Sequence, residues 1–135
     1  KITGSKNYEN PMEMDRIAET LGINVKPWSF KTDCCGASFS ISKPDIIHTL
    51  VEKLYDRALE AGADCIIVSC QMCQANLDLY QEEIAGIFKK KYHLPIFYFT
   101  ELIGLALQLK DIARGLKRHR VNPIPYLKEK GLRAG

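Results

Sequence analysis

Two groups of cysteines constrain this chain more than any other feature: Thr32-Asp33-Cys34-Cys35-Gly36-Ala37-Ser38 and, further along, Cys70-Gln71-Met72-Cys73. Of the five cysteines only Cys65 lies outside them. Adjacent cysteines followed by glycine are hard to explain as packing, because neighbouring side chains of an extended backbone point to opposite faces and cannot both enter one core. A metal or cluster can use both. Where the chain turns, two successive thiolates reach different metals of one inorganic centre, and Gly36 permits backbone conformations that a side chain forbids. Cys-x-x-Cys is the complementary half, since residues three apart at the start of a helix share a face and can chelate together. The combination is far more specific than either half.

Length and charge narrow the class. The 135 residues suit a single domain, 1–135, long enough to bury a core without disulfide staples. An odd number of cysteines gathered in two motifs, with no apolar leader before them, argues against a secreted disulfide scaffold and for a reduced, cytoplasmic protein. A formal charge of +3 from 19 basic and 16 acidic residues is too balanced to imply nucleic acid. No apolar run approaches the roughly 20 residues of a membrane helix, so direct membrane insertion is not expected. The chain opens on Lys1 rather than methionine, and a piece of a longer protein is the expectation.

The periodicity predicts alternating helices and strands. Asn10-Pro11-Met12-Glu13 reads as a helix start, with Asn10 as cap and Glu13 closing a capping box, and Met14, Ile17, Ala18 and Leu21 as the buried face before a stop at Gly22. Ile23 to Phe30 reads as an irregular or edge strand interrupted by Pro27, delivering the Cys34-Cys35 loop. Ser42-Lys43-Pro44-Asp45 starts the most secure helix, its stripe being Ile46, Ile47, Leu50, Val51, Leu54, Tyr55, Ala58 and Leu59, with a stop at Gly62. Cys65 to Ser69 is a continuous apolar run of the kind buried on both faces of a parallel sheet. A long helix from Gln71 to about Tyr92 follows, burying Leu77, Tyr80, Ile84, Ile87 and Phe88. Then come a second buried run, Ile96 to Phe99, Thr100 as cap and a helix from Leu102 to Leu109. Residues 118–135, with Pro123 and Pro125, form a wrapping extension with a short helix near Tyr126 to Lys130. The expected fold is α/β: a parallel sheet flanked by helices in a Rossmann-like three-layer arrangement.

In such sheets the loops leaving the carboxyl ends of the strands share one rim, where ligands bind, and both cysteine motifs are placed there. Cys70 and Cys73 open a helix, whose positive dipole end favours thiolates. The expected metal ligands are Cys34, Cys35, Cys70 and Cys73, with Gly36 shaping the loop. Cys65 sits roughly 16 Å up the strand from Cys70, at about 3.3 Å per residue, and reads as plain core. Asp33, Ser38, Ser69, Gln71 and Gln74 are near the rim, where polar residues are more often solvated or capping than functional. Trp28 and Phe39 read as wall and core. His48, His93 and His119 pair with no cysteine at a ligand spacing. Lys89 to Lys91 read as a solvated face, and Lys117 to Arg120 as a basic tail able to fold back toward an anionic ligand or a partner.

These motifs resemble those of the cysteine-rich CCG domain, and Cys34-Cys35-Gly36-Ala37-Ser38 with Cys70-Gln71-Met72-Cys73-Gln74-Ala75-Asn76-Leu77-Asp78 is similar to the B subunit of heterodisulfide reductase. The resemblance runs over essentially the whole chain, and Asn10-Pro11, Phe99-Thr100-Glu101-Leu102 and Pro123 to Leu132 resemble that subunit's second, C-terminal CCG repeat. It implies a longer two-repeat protein with a noncubane 4Fe-4S cluster on five cysteines, Cys34, Cys35, Cys70 and Cys73 among them. The fifth would fall before Lys1, so this chain alone is expected to lack the complete cluster, with zinc on four thiolates as the alternative. It further implies an oxidoreductase of methanogenesis that reduces a small-molecule disulfide, the coenzyme M and coenzyme B mixed disulfide. The implied partners are the other heterodisulfide reductase subunits, one carrying iron-sulfur clusters and one carrying flavin. CCG domains also serve respiratory dehydrogenases for lactate, glycolate or glycerol phosphate as electron-transfer modules. Those commonly carry further glycine after Cys-Cys-Gly, where this chain has Ala37-Ser38-Phe39, which favours the disulfide reductase.

Overall fold

A computed structural model describes residue 7 and residues 9–132 of the chain. Its centre is a two-stranded parallel sheet, β1 (Ile66–Val68) beside β2 (Ile96–Tyr98), with Ile66 opposite Ile96 and Val68 opposite Tyr98. Around it lie α1 (Glu13–Thr20), α2 (Pro44–Glu60), α3 (Gln71–Leu79), α4 (Gln81–Phe88), α5 (Phe99–Ala106), α6 (Ile112–Leu116) and α7 (Ile124–Glu129), plus a 3-10 turn at Ala37–Phe39. The α/β expectation with parallel strands holds.

Alternation along the strands divides the core. Ile66 and Ile96 face Ile47, Val51, Leu54, Tyr55 and Ala58 of α2, with Leu77 and Ile84, in one apolar cluster. Cys65 and Phe97 turn the other way, onto Leu105, Leu116 and Leu127 from α5, α6 and α7. Both strands are therefore covered on two faces, as continuous apolar runs require. Ile46 and Leu59, at the edges of the α2 stripe, stay exposed.

Several local expectations are corrected. Residues 23–30 join no sheet: Pro27 offers no N–H, and the Ile23 amide is spent on the Ala18 carbonyl at 3.0 Å, closing α1. The Cys34-Cys35 loop is thus delivered by a turn in which Asp33 N–H reaches the Phe30 carbonyl. Asn10 does not cap α1. The helix starts at Glu13 without a side-chain cap, and Asn10 Oδ1 instead accepts from Lys31 Nζ at 3.4 Å, while Lys31 pairs with the buried Asp15. Ile17 is left exposed. Lys43, not Ser42, occupies the cap position of α2, with Pro44 in the first turn, where its missing N–H costs nothing.

The long helix from Gln71 is two helices. They meet at Tyr80, and the second ends at Phe88, capped by Lys89, rather than at Tyr92, leaving Ile87 exposed. The next residue explains the break: Gln81, 1 % exposed, brackets the backbone of Leu94, accepting its N–H at 2.7 Å and donating to its carbonyl at 3.0 Å. A straight helix would carry that amide past the entry to β2. α5 begins at Phe99, before the expected Thr100, because Glu101 Oε2 accepts the Tyr98 N–H at 2.9 Å. Residues 118 onward do wrap. Asp78 of α3 accepts the Arg120 amide at 2.6 Å and the Val121 amide at 3.0 Å, and Leu127 is fully buried.

Candidate metal centre

The site is assembled by α3 and the loop facing its first turn. Cys70, two residues beyond β1 and still extended, stands at the N-cap position of α3, so Cys73 falls one turn on. Gly36, at φ +75°, turns the other loop into the 3-10 segment, and its N–H approaches Cys34 Sγ at 3.4 Å. A Cβ there would sit 2.8 Å from Leu50 Cδ1 as well as in a left-handed conformation, so this position calls for glycine on both counts.

The two motifs meet. Cys35, 2 % exposed, places its Sγ 3.3 Å from Cys73 Sγ, and its carbonyl accepts Asn76 Nδ2 at 2.9 Å. Cys34 and Cys70 are exposed at the surface above them. All five cysteines are free thiols. Asp33, Ser38, Ser69 and Gln71 are exposed, while Gln74 is partly covered. Phe39 is exposed rather than core, and Trp28 packs against the α2 side of the core. Clefts of about 490 and 660 Å³ border Trp28, but no cysteine lines either. The cysteines thus lie outside both clefts, and two apolar residues near them in sequence, Met72 and the 98 % exposed Ile41, face solvent.

The thiols differ electrostatically. Backbone N–H of Cys73, the Cys73 thiol and backbone N–H of Met72 hold the Cys70 thiol below its usual range, as expected at a helix N-terminus. Burial, then the neighbouring Cys35, pushes Cys73 up to about 12. Burial also raises Cys65, which contacts Tyr126 Oη at 3.5 Å. In metal-free protein near neutral pH, iodoacetamide should therefore modify Cys70 well before Cys73 or Cys65, because only the thiolate attacks. Peptide mapping after timed alkylation checks this, and a first label on Cys65 contradicts it.

Cysteine chemistry sets what could be held here. Zinc binds thiolates at about 2.3 Å, which places two tetrahedral sulfurs close to 3.8 Å apart. Cys35 and Cys73, at 3.3 Å, are near that spacing, which suits two thiolates sharing one metal whether zinc or iron. A soft, all-sulfur donor set spread over two loops fits an iron-sulfur core in kind.

Matching against known proteins agrees with this donor set: residues 3–78 match the CCG cysteine-rich domain. This chain belongs to that family. It is 28% identical to the 8-methylmenaquinol:fumarate reductase membrane anchor subunit of Wolinella succinogenes over 122 residues, 90% of this chain and 43% of that one. It is also 28% identical to the B subunit of the ferredoxin:CoB-CoM heterodisulfide reductase of Methanosarcina mazei over 121 residues, 88% of this chain and 40% of that one. A protein of Archaeoglobus profundus, itself described as like the heterodisulfide reductase B subunit, is 27% identical over 100 residues, 73% of this chain and 33% of that one. The chain thus spans about two fifths of the length of the first two of these relatives. Among the described residues no helix is long and apolar enough to cross a membrane.

A second polar group behind this CCG centre has almost no signature in the sequence. His119 folds inward, its side chain 4 % exposed, and Nε2 lies 2.8 Å from Glu101 Oε1. Gln74, next to Cys73, donates to Glu101 Oε2 at 3.5 Å and lies 3.3 Å from His119 Nε2. The one faint signal is a basic tail able to fold back. The other histidines are structural or exposed: His48 is buried beside Glu83 at 3.1 Å, and His93 is exposed. Lys90 is a surface ion-pair partner of Glu52 and Asp56.

Proposed function

We propose that this domain forms part of an iron-sulfur oxidoreductase working within a complex, with Cys34, Cys35, Cys70 and Cys73 holding a noncubane 4Fe-4S cluster that serves disulfide reduction. The observation that carries the reading is the meeting of Cys35 and Cys73 at 3.3 Å on a rim that also bears Cys34 and Cys70. When bound, the cluster would supply one-electron chemistry that no side chain here offers. The chain itself fixes the ligands: Asn76 ties down the Cys35 loop, and the amides of Met72 and Cys73 favour thiolate at Cys70.

The overall step is balanced by two electrons and two protons per disulfide, with the S–S bond breaking and two thiols forming. The electrons come from an iron-sulfur protein partner and the protons from solvent. The coenzyme M and coenzyme B mixed disulfide is the first substrate to test, given the CoB-CoM heterodisulfide reductase to which the Methanosarcina relative belongs. Within the complex, partners equivalent to the iron-sulfur and flavin subunits of heterodisulfide reductase are expected, and a cytoplasmic location is part of the same proposal.

A second reading is favoured by the equally similar fumarate reductase anchor protein. There the domain passes electrons within a respiratory enzyme and meets no disulfide. The test is iron and sulfide analysis with electron paramagnetic resonance on the purified intact complex, followed by turnover assays. An iron-sulfur signal with reduction of the mixed disulfide is the expected result. A complex that ignores disulfides yet turns over fumarate, lactate, glycolate or glycerol phosphate transfers the function to the second reading. Zinc without iron or sulfide overturns both.

A further inference from the structure

His119 has a nitrogen with nothing to do. Its Nε2 faces a carboxylate oxygen of Glu101 at 2.8 Å, so in the neutral ring Nε2 carries the hydrogen and Nδ1 keeps a bare lone pair. That Nδ1 is buried and has no hydrogen-bond partner. The backbone of Ile96 in β2 also favours the charged form of the ring. The ring lies 6.5 Å from that of Phe97, so little water reaches it.

The charges acting on this ring come from two elements, Glu101 on α5 and Asp78 on α3. On its own segment, Arg120 is directed to Glu82 at 2.6 Å. Burial opposes a charged ring, but the two carboxylates outweigh it and raise its proton affinity. Gln74 completes the arrangement, standing beside Cys73 in the first turn of α3 and touching both members of the pair.

We propose that His119 and Glu101 form a redox-linked protonation site, in which His119 Nδ1 takes up a proton from solvent when the thiolate-held centre at Cys70 and Cys73 is reduced, and releases it on reoxidation. This rests on the iron-sulfur reading above. The electron is the one delivered by the partner protein. The proton turns the pair from net negative to neutral as the rim gains negative charge, and through Gln74, which touches the pair and adjoins Cys73, the two changes are close enough to stabilise one another. His119 touches neither ligand nor substrate in this arrangement, so it is a positioning residue that sets the potential of the site and the proton supply behind it.

The experiment is potentiometry of the intact protein, followed by electron paramagnetic resonance across the ordinary histidine range and above it, since the carboxylates move this ring's titration upward. In the wild type the midpoint potential should fall as pH rises, because reduction must be accompanied by a scarcer proton. His119→Gln keeps a hydrogen-bonding group beside Glu101 but cannot take the proton, and its potential should lose most of that slope. Glu101→Gln, which removes the carboxylate stabilising the charged ring, should do the same should the first variant fail to load. A third measurement needs no variant: reduction of the wild type in weakly buffered dye should show proton uptake. A normal signal with a pH-independent potential, a slope unchanged in both variants, or no uptake overturns this inference alone. Absence of any iron-sulfur signal from the wild type overturns the functional reading on which it stands.

Discussion

Replacing Cys35 or Cys73 by serine in the intact complex is expected to abolish disulfide reduction and eliminate the wild-type paramagnetic signal, while Cys65→Ser leaves turnover near normal. The contrast follows from placement. Cys35 and Cys73 come from separate motifs and meet at 3.3 Å, so each replacement removes a donor from the point where the motifs join. A serine oxygen is a harder and poorer ligand for iron-sulfur cores than thiolate. Changes in groups that merely support metal ligands typically cost 10- to 100-fold, and losing a ligand itself should exceed about 100-fold in turnover. Cys65 packs with Phe97 and Leu127 on the opposite side of the sheet. Its replacement puts a hydroxyl into an apolar setting and should cost roughly 1–3 kcal/mol of stability, partly relieved by Tyr126. Turnover, iron content and thermal unfolding of the three variants measured together decide the matter. Normal activity in Cys35→Ser or Cys73→Ser would remove the cysteine rim from the chemistry.

Gln81→Leu should be strongly destabilising although it lies away from the cysteines. Leucine matches the buried volume well enough, so the loss is polar: the Leu94 N–H and carbonyl are both left without the partner they have at 2.7 and 3.0 Å. An unsatisfied buried donor or acceptor costs about 1–3 kcal/mol each, which brings the expected loss to about 3 kcal/mol or more. For a chain of this size that is a fall of roughly 10 °C in unfolding temperature. Urea unfolding of the variant against wild type measures it directly. Gln81→Glu separates the two bonds, since a carboxylate still accepts the Leu94 N–H but cannot donate to the carbonyl. A loss of less than about 1 kcal/mol in Gln81→Leu would mean the bracket is replaced by water.

The parallel strands and the α2 helix were legible because their signals are local. Runs such as Ile66–Val68 and Ile96–Tyr98 are apolar on both faces, and the α2 stripe repeats over several turns. The cysteine rim was legible for a related reason: the chemistry of adjacent thiols has few structural explanations. What failed depended on partners far along the chain. Nothing in the sequence around Tyr80 says that Gln81 will reach Leu94 and end a helix there, and nothing near Asn10 says that it will turn to Lys31 instead of capping α1. His119 and Glu101 were invisible for the same reason. Glu101 lies in the Phe99-Thr100-Glu101-Leu102 segment and His119 in the basic tail, but neither names the other as partner, and only the fold-back of residues 119–121 onto Asp78 brings the ring beside Gln74.

The bond from Asn76 Nδ2 to the Cys35 carbonyl couples the opening of the loop to that of the helix. Loops on a protein surface usually open by themselves, exchanging their amides independently of the elements they touch. Here the loop cannot lift Cys35 out of the core without breaking a hydrogen bond that starts one turn beyond Cys73, and α3 cannot fray inward past Asn76 without freeing the loop. The two halves of the donor set should therefore exchange as one cooperative unit. Deuterium labelling would show it as matched protection of the Phe39 amide, bonded to the Gly36 carbonyl, and the Tyr80 amide, bonded to that of Asn76. A centre built this way would release its contents in a single event, the whole site opening at once, instead of shedding one ligand at a time.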